Sequence, residues 1–402
     1  MSKINTTKQQ LALIALNCTR RLIALFTGPF LAAYFIQTSS QNLGALAKYY
    51  IYAYSTMLLT YFIVSWLFKR RSKLQLLRFG LLLNFIYTIT LLRLGPEIIN
   101  HLILIGFMYG ISSSCYWVAY SLYISNVVPH NERVHFTVRL RNAGHIIEII
   151  GPIVLGGLIS LTDFNVATIA ISIISATQIL FSLVLPKTNC SKTRFNPVSA
   201  MLRTVKNGAT RRTTILEFLS GLSISDGALG IATTIVIIEV FHSSLNLGLI
   251  TSVATMASII ATAIYGHIFS MKFNRTITIA IGFIPILAVL VLLIQHSETA
   301  IIIYTLLYTV AANLLGTARS ILVYEASNIP QIKPEFQTEF MAIREAVLDL
   351  GRVSGYSLLL LSANIHRLSL STIMVILAIP IVGVGVVSIQ PKRVARRIGK
   401  SK

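Results

Sequence analysis

Three charged residues in one apolar stretch are spaced to share a helical face. The stretch Phe336 to Tyr356 carries Glu345, Asp349 and Arg352 at intervals of four and three residues. Side chains at these intervals are neighbours on a helix. A charge at the centre of a membrane helix costs about 2.5–3.5 kcal/mol on insertion scales, so such residues normally face a bundle interior or a wet cavity. The spacing therefore predicts an ionic site facing inward.

The composition explains why these charges stand out. Of the 402 residues, 54% are hydrophobic and 12% are charged, and the mean hydropathy is +0.74. Soluble proteins carry about 25% charged residues. The long apolar runs predict an all-α, multi-pass membrane protein.

The net charge of +21 would suit nucleic-acid binding if it lay on one soluble surface. The basic residues instead cluster in loops between apolar runs, so we expect no nucleic-acid partner. No P-loop, zinc-protease motif or cysteine–histidine cluster occurs in the sequence. We therefore expect no enzyme activity, no cofactor and no metal.

Turn residues and charges divide the apolar runs into twelve predicted spans. Their approximate bounds are 11–37, 47–68, 74–94, 98–127, 137–161, 164–185, 213–241, 245–269, 277–295, 299–325, 336–363 and 368–389. Most lysines and arginines fall on one side of these spans, and the other side holds only Lys48, Arg93 and Arg367. By the positive-inside rule, both termini are expected in the cytoplasm.

The longest polar stretch, 186–212, lies near the middle of the chain. It separates a predicted N-terminal six-helix bundle, 1–185, from a C-terminal bundle, 213–389, which is followed by a basic tail, 390–402. Within the stretch, Asn196 to Val205 fits a short amphipathic helix on the membrane surface. A solvated linker fits the same residues.

The two halves repeat weakly at an offset of about 202 residues. Ser125-Asn126 returns as Ser327-Asn328, and Arg141 falls close to the position that matches Arg344. A duplication of six spans is typical of transporters.

Twelve spans, a basic central loop and a half-chain repeat resemble a transporter of the major facilitator superfamily. The loop after span 2 keeps that family's basic residues as Arg70 and Arg71, without its glycine and aspartate. Span 5 carries Gly151-Pro152 followed by Gly156-Gly157, which resembles the family's antiporter motif with one extra residue. The run EFMAIREAVLDLGR is similar to bacterial transporters of the YQGE type.

The resemblance implies two six-helix bundles, with spans 1, 4, 7 and 10 lining a central cavity and spans 2, 5, 8 and 11 flanking it. Most polar residues in the spans fall on these helices. Asp226 and Glu148 have no basic residue four positions away, which makes them, with Asp349, candidates for proton coupling. A carboxylate in a low-dielectric cavity can bind and release a proton.

Arginine and tyrosine supply the candidate substrate contacts. Arginine binds carboxylate or phosphate through two parallel hydrogen bonds, and tyrosine offers apolar area with a hydroxyl. The candidates are Arg20, Arg319, Arg352, Tyr109, Tyr116, Tyr120 and Tyr308. Structural ion pairs and plain packing explain the same residues equally well. A gating or structural role is expected for Arg70, Arg71, Gly151, Pro152, Arg344 and Glu345.

These observations favour a proton-coupled exporter of a small organic or amphiphilic molecule, working by alternating access as a monomer in the plasma membrane. An importer or facilitator of an anionic metabolite, using Arg20, Arg21 and Arg319, is a second hypothesis. A lipid flippase is a third, and a membrane scaffold or sensor is the least supported.

Overall fold

The computed structural model describes residues 2–38, 43–68, 72–128, 133–186, 195–224, 226–268, 274–295, 297–327, 337–364 and 370–388. The described residues are helical and contain no strand. The helices are α1 Ser2–Leu25, α2 Leu31–Thr38, α3 Leu43–Phe68, α4 Lys73–Leu94, α5 Leu102–Val127, α6 Arg133–Leu161, α7 Phe164–Leu183, α8 Pro197–Lys206, α9 Gly208–Ser223, α10 Ala228–Phe241, α11 Ser244–Ile268, α12 Asn274–Ile294, α13 Glu298–Ser327, α14 Gln337–Asn364 and α15 Leu370–Val387.

Eleven runs in the described chain are long and apolar enough to cross a membrane. One of them, Leu74–Tyr120, contains both α4 and α5, which pack against each other across a 3-10 turn. Gly80 of α4 lies against Cys115 and Tyr116 of α5, as an antiparallel pair requires. Counting these two helices separately gives the twelve predicted spans, and the all-α fold is confirmed.

Two spans are interrupted where continuous helices were expected. Span 1 consists of α1 and α2 joined by a π-helical turn, Phe26–Phe30, that contains Pro29. Proline lacks the N–H that an α-helix needs at that position, and a π-turn accommodates the gap. Span 7 consists of α9 and α10, which are separated at Asp226.

Helix packing repeats between the two halves. In the first half, α3 and α4 pack on α5, α4 on α7, and α1 on α6 and α7. In the second half, α11 and α12 pack on α13, α12 on α15, and α9 on α14 and α15. The equivalent helix pairs match the sequence repeat. The weak repeat in the sequence therefore reflects a structural duplication.

The most extensive contacts between the halves are those of α3 with α14 and of α6 with α11, and α2 also meets α10. In the second pair the backbones touch, because a Cβ at Gly248 would overlap the Pro152 carbonyl oxygen and one at Gly156 would overlap that of Ser244. Gly151 lies against Leu22 and Leu25 of α1. The glycine–proline segment of span 5 is therefore a site of close helix approach.

The two halves are in contact at one end of the bundle, where α10 packs against α2 and against the π-turn before it. The Tyr34 ring stacks on Phe164 with centroids 3.9 Å apart, and Phe26 stacks on the same ring at 4.9 Å. A cavity of about 240 Å³ lies beside this stack, lined by residues of both halves: Phe30, Tyr34, Gln37, Ile159, Asp163, Phe164 and Ser244. We call this the closed end, and the end that holds α8 the basic end.

Candidate functional site

The break between α9 and α10 places Asp226 near the middle of the membrane run Thr210–Phe241. Asp226 has a φ of +54°, a conformation that costs a non-glycine residue about 1–3 kcal/mol. At the following Gly227, a Cβ would lie only 2.7 Å from Ser223 backbone atoms. Asp226 lies inside the predicted span 213–241 but not in a helix, because the chain unwinds there and exposes its carboxylate.

Arg352 of α14 connects this break to a buried acid. One guanidinium nitrogen lies 3.0 Å from Asp226 Oδ2, and another lies 2.7 Å from Asp349 Oδ1. The Arg352 side chain is 8% exposed and that of Asp349 is 0% exposed, whereas that of Asp226 is 78% exposed. The arginine thus links one carboxylate in an open space with another in the core.

Tyrosines from both halves surround these charges. The Arg352 guanidinium lies 4.8 Å from the centre of the Tyr54 ring of α3. The Tyr356 hydroxyl donates to the Asp226 carbonyl at 3.1 Å, and its ring stacks on that of Tyr50, with centroids 4.6 Å apart. Cations are attracted to aromatic faces, most strongly when desolvated.

We call Asp226, Arg352, Asp349, Tyr54 and Tyr356 the junction cluster. Because α3 and α14 join the two halves, the exposed Asp226 carboxylate lies at their junction. Tyr50 and Tyr54, four positions apart on α3, are not among the substrate contacts predicted from the sequence. The four-residue spacing of these two tyrosines, which places them on one helical face, was the sequence signal that could have indicated this position.

The junction cluster has an unequal charge count. Two carboxylates share one guanidinium, and Asp349 Oδ2 is buried without a hydrogen-bond partner in the part of the chain that the structure describes. Leaving a carboxylate oxygen unpaired away from water is costly. A proton or a cationic group of a ligand would balance the charges.

A second ionic cluster lies toward the basic end of the C-terminal half. The Glu217 carboxylate of α9, 1% exposed, lies 3.4 Å from an Arg319 nitrogen and 4.0 Å from an Arg344 nitrogen. Arg344 also pairs with Glu345. Arg319, a candidate substrate ligand, is therefore placed in an ion pair between α13 and α9.

The N-terminal half holds an equivalent pair of opposite polarity. Arg21 of α1 pairs with Glu148 of α6, and His145 Nδ1 lies 3.0 Å from the same carboxylate. Glu148 has no basic residue four positions away, as the sequence shows, but it is paired, because Arg21 meets it from another helix and His145 lies at i−3.

Arg20 lies in the core of the N-terminal half, and its residue exposure is 2%. Its guanidinium donates to Asn84 Oδ1 and to Ser113 Oγ, each at 2.6 Å. It also lies 5.1 Å from the centre of the Tyr116 ring. In the described part of the chain, its contacts are neutral groups rather than carboxylates.

Two of the candidate tyrosines, Tyr116 and Tyr120 of α5, contact α1. The Tyr116 hydroxyl donates to the Leu16 carbonyl at 3.2 Å, and that of Tyr120 donates to the Leu13 carbonyl at 2.8 Å. Tyr109 packs against Tyr49 and Tyr87. In the other half, the Tyr308 hydroxyl donates to the Ser223 carbonyl at the start of the break, at 3.0 Å. Arg70 and Arg71 lie outside the described residues.

The fold and the paired halves define a multi-pass membrane protein of transporter architecture. The sequence model of the major facilitator superfamily matches residues 11–356. The chain belongs to this superfamily of membrane transporters. An uncharacterised Bacillus subtilis protein, YqgE, is 23% identical over 311 residues, which cover 77% of this chain and 72% of YqgE.

Solved structures show the same fold at low sequence identity. A transporter of the POT family, solved with a thioalcohol-conjugated peptide, has a TM-score of 0.73 at 12% identity and covers 94% of both chains. A bacterial homologue of the iron transporter ferroportin, in its inward-facing state, has a TM-score of 0.69 at 14% identity, covering 97% of this chain and 99% of that one. The nucleoside transporter NupG has a TM-score of 0.64 at 14% identity, covering 96% and 97%.

Proposed function

We propose that this chain is a proton-coupled exporter of a small organic or amphiphilic molecule in the bacterial plasma membrane. The observation that carries the proposal is the junction cluster, in which Arg352 joins the exposed Asp226 to the buried Asp349. Ionisable groups at membrane depth commonly form proton relays. This group lies where the two halves meet, so its protonation can bias their relative position.

The proposed mechanism follows from the charge count. A proton entering from solvent reaches the Asp226 carboxylate first, because that side chain is exposed. With Asp226 neutral, Arg352 is held mainly by Asp349, and its bond to the break between α9 and α10 weakens. Since the Arg352 guanidinium also lies on Tyr54 of the other half, this change alters a contact between the halves. Alternating access requires such a contact to have two states.

The proposed orientation of the protein in the membrane follows from the distribution of its basic residues. With both termini in the cytoplasm, the closed end faces outward and the basic end faces the cell interior, so an organic molecule would enter the space between the halves from the cytoplasm. The glycine–proline segment of α6 resembles the antiporter motif of this superfamily, and this resemblance is the reason for proposing exchange against an inward proton flux.

The test begins with a ligand screen. A ligand that binds only the folded protein raises its apparent stability, so a panel of organic amines, acids and neutral amphiphiles is screened for thermal stabilisation of the purified chain. The best compound, radiolabelled, is then measured in proteoliposomes with and without an imposed pH gradient. We expect transport to follow the gradient and to cease when an ionophore collapses it.

Variants of the junction cluster test the site. Asp226→Asn and Asp349→Asn should each reduce gradient-driven transport at least about tenfold, which corresponds to about 1.4 kcal/mol, while Glu239→Gln should not. Glu239 is an exposed acid on the adjoining α10, outside the junction cluster. Transport that persists without a pH gradient would contradict proton coupling. Unchanged transport in both aspartate variants, at equal protein levels, would remove the junction cluster from the mechanism.

A facilitator or importer of an anionic metabolite is the second candidate, and Arg20 favours it. A buried cation that contacts only neutral groups can attract an anionic ligand, whereas Arg21 and Arg319 have carboxylate partners. Under this hypothesis organic anions stabilise the protein in the screen, and Arg20→Met abolishes that stabilisation. Stabilisation by anions that survives Arg20→Met would exclude Arg20 as the ligand.

A further inference from the structure

The short helix α8 has one face that the protein leaves open. Its apolar residues Val198, Met201, Leu202 and Val205 are 68%, 58%, 56% and 54% exposed. Their spacing of three, four and seven residues places them on one stripe along the helix. Four neighbouring apolar side chains on a ten-residue helix are more than the scattered single exposures that are normal for a protein surface.

The opposite face holds α8 in a fixed orientation. Ala200 and Thr204 are buried at 3% and 4% exposure, and α8 packs on α14 and α9. The Asn196 N–H donates to the Glu339 carboxylate of α14 at 3.1 Å. The Thr210 hydroxyl donates to the Thr204 carbonyl at 2.6 Å. These contacts turn the apolar stripe away from the bundle.

The position of α8 along the chain places it at the membrane boundary. The membrane run that contains α9 begins at Thr210, only four residues after α8 ends at Lys206. Lys206, Arg211 and Arg212 are exposed at this point. Basic side chains next to an exposed apolar stripe match an interface in which apolar groups enter the acyl region and cations meet anionic headgroups.

We propose that α8 docks on the surface of an anionic phospholipid bilayer, with the stripe of Val198, Met201, Leu202 and Val205 inserted below the headgroups. Lys206, Arg211 and Arg212 bind the headgroup phosphates. Because α8 packs on both α9 and α14, this contact anchors the start of α14, which carries Arg352, and of α9, which ends shortly before Asp226. The proposal concerns lipid contact alone and does not depend on proton coupling.

The experiment uses the full-length protein with Cys18, Cys115 and Cys190 replaced by serine. A single cysteine replaces Met201 on the stripe or, as a matched control, Ser199 on the same helix but off the stripe. Each is labelled with an environment-sensitive fluorophore and reconstituted into phosphatidylcholine vesicles with or without phosphatidylglycerol. Iodide quenches labels exposed to water, and nitroxide-bearing lipids quench labels in the bilayer.

We expect the label at position 201 to be quenched several-fold more by nitroxide lipids than the label at 199, with a blue-shifted emission, in phosphatidylglycerol vesicles. The triple replacement Lys206→Gln, Arg211→Gln and Arg212→Gln should reduce that lipid quenching several-fold. If position 201 is quenched by iodide in both vesicle types, the docking is refuted. Protection from both quenchers would show a protein cover instead, and equal lipid quenching regardless of charge would refute the anionic headgroup contact.

Discussion

At the scale of single residues, the central feature is an arginine between two acids with different surroundings. Asp226 meets solvent, whereas Asp349 is enclosed and has one carboxylate oxygen without a hydrogen-bond partner in the described residues. Removing one partner of a buried ion pair costs more than the pair itself contributes, because the remaining charge stays desolvated. Arg352 is therefore expected to control the stability of the cluster as well as its chemistry.

We predict that Arg352→Gln lowers the free energy of unfolding by about 3–5 kcal/mol, the usual cost of breaking a buried ion pair. Adding Asp349→Asn to this variant should restore a substantial part of the loss, because it neutralises the stranded carboxylate. Thermal unfolding of the purified variants in one detergent measures both effects. Equal melting temperatures for the single and double variants would show that Asp349 is not charged beside Arg352.

Residue spacing predicts contacts within a helix better than contacts between helices. Asp349 and Arg352 are three positions apart, and their predicted shared face is where the ion pair lies. Arg352 and Asp226 are 126 residues apart, and Arg21 and Glu148 are 127 residues apart. The local periodicity of the sequence therefore cannot indicate these pairs. Structural ion pairing was one of the interpretations that the sequence left open, but tertiary packing determines which residues pair.

At the scale of elements, the interrupted span 7 shows how hydropathy conceals a break. The run Thr210–Phe241 is apolar enough to be taken for one helix. The sequence SISDGALG inside it contains an Asp-Gly pair, a turn signal that hydropathy does not weigh. Broken helices at membrane depth are tolerated where they line a cavity and often form binding sites in transporters.

Close packing of α14 on α9 positions the break between α9 and α10. Gly351 of α14 permits this close packing. A Cβ at Gly351 would overlap the Phe218 carbonyl oxygen and would lie 3.0 Å from the Leu222 nitrogen. We predict that Gly351→Ala destabilises the protein by about 1–3 kcal/mol, as overpacking usually does. The control is Gly316→Ala in α13, where an added Cβ meets nothing within 4 Å.

Gly316→Ala should be neutral or stabilising by up to about 1 kcal/mol, since alanine is the better helix former. Melting temperatures of the two variants and of the parent, with size-exclusion profiles, provide the comparison. A Gly351→Ala protein as stable as the control would show that α9 and α14 can separate without cost.

At the scale of the whole molecule, composition and the half-chain repeat predicted most of the architecture. Twelve spans and the paired halves follow from hydropathy, charge placement and periodicity, whereas the helix α8 was one of two interpretations that fit its residues. The closed end could not be predicted in this way, because the contact of α2 with α10 depends on how the two halves tilt. In the alternating-access mechanism proposed above, both arrangements of the halves are built from the same helices.

Adjacent glycines in α6 allow this tilt to be tested with a matched pair. A Cβ at Gly156 would overlap the Ser244 carbonyl oxygen of the other half, whereas one at Gly157 meets nothing within 4 Å. Gly156→Ala should therefore disfavour the arrangement in which α6 and α11 touch, and Gly157→Ala should not. A difference of about 1.4 kcal/mol between the two arrangements changes their ratio tenfold.

Hydrogen exchange measured by mass spectrometry detects this change in the ratio of the two arrangements. In Gly156→Ala, peptides from α2 and α10 should exchange faster, because opening the closed end exposes the helices that meet there. Peptides from α3 and α14 should be less affected, since their contact includes the junction cluster rather than the closed end. Faster exchange throughout the protein would instead indicate general destabilisation, and identical exchange in both variants would mean that contact between α6 and α11 does not hold the end closed.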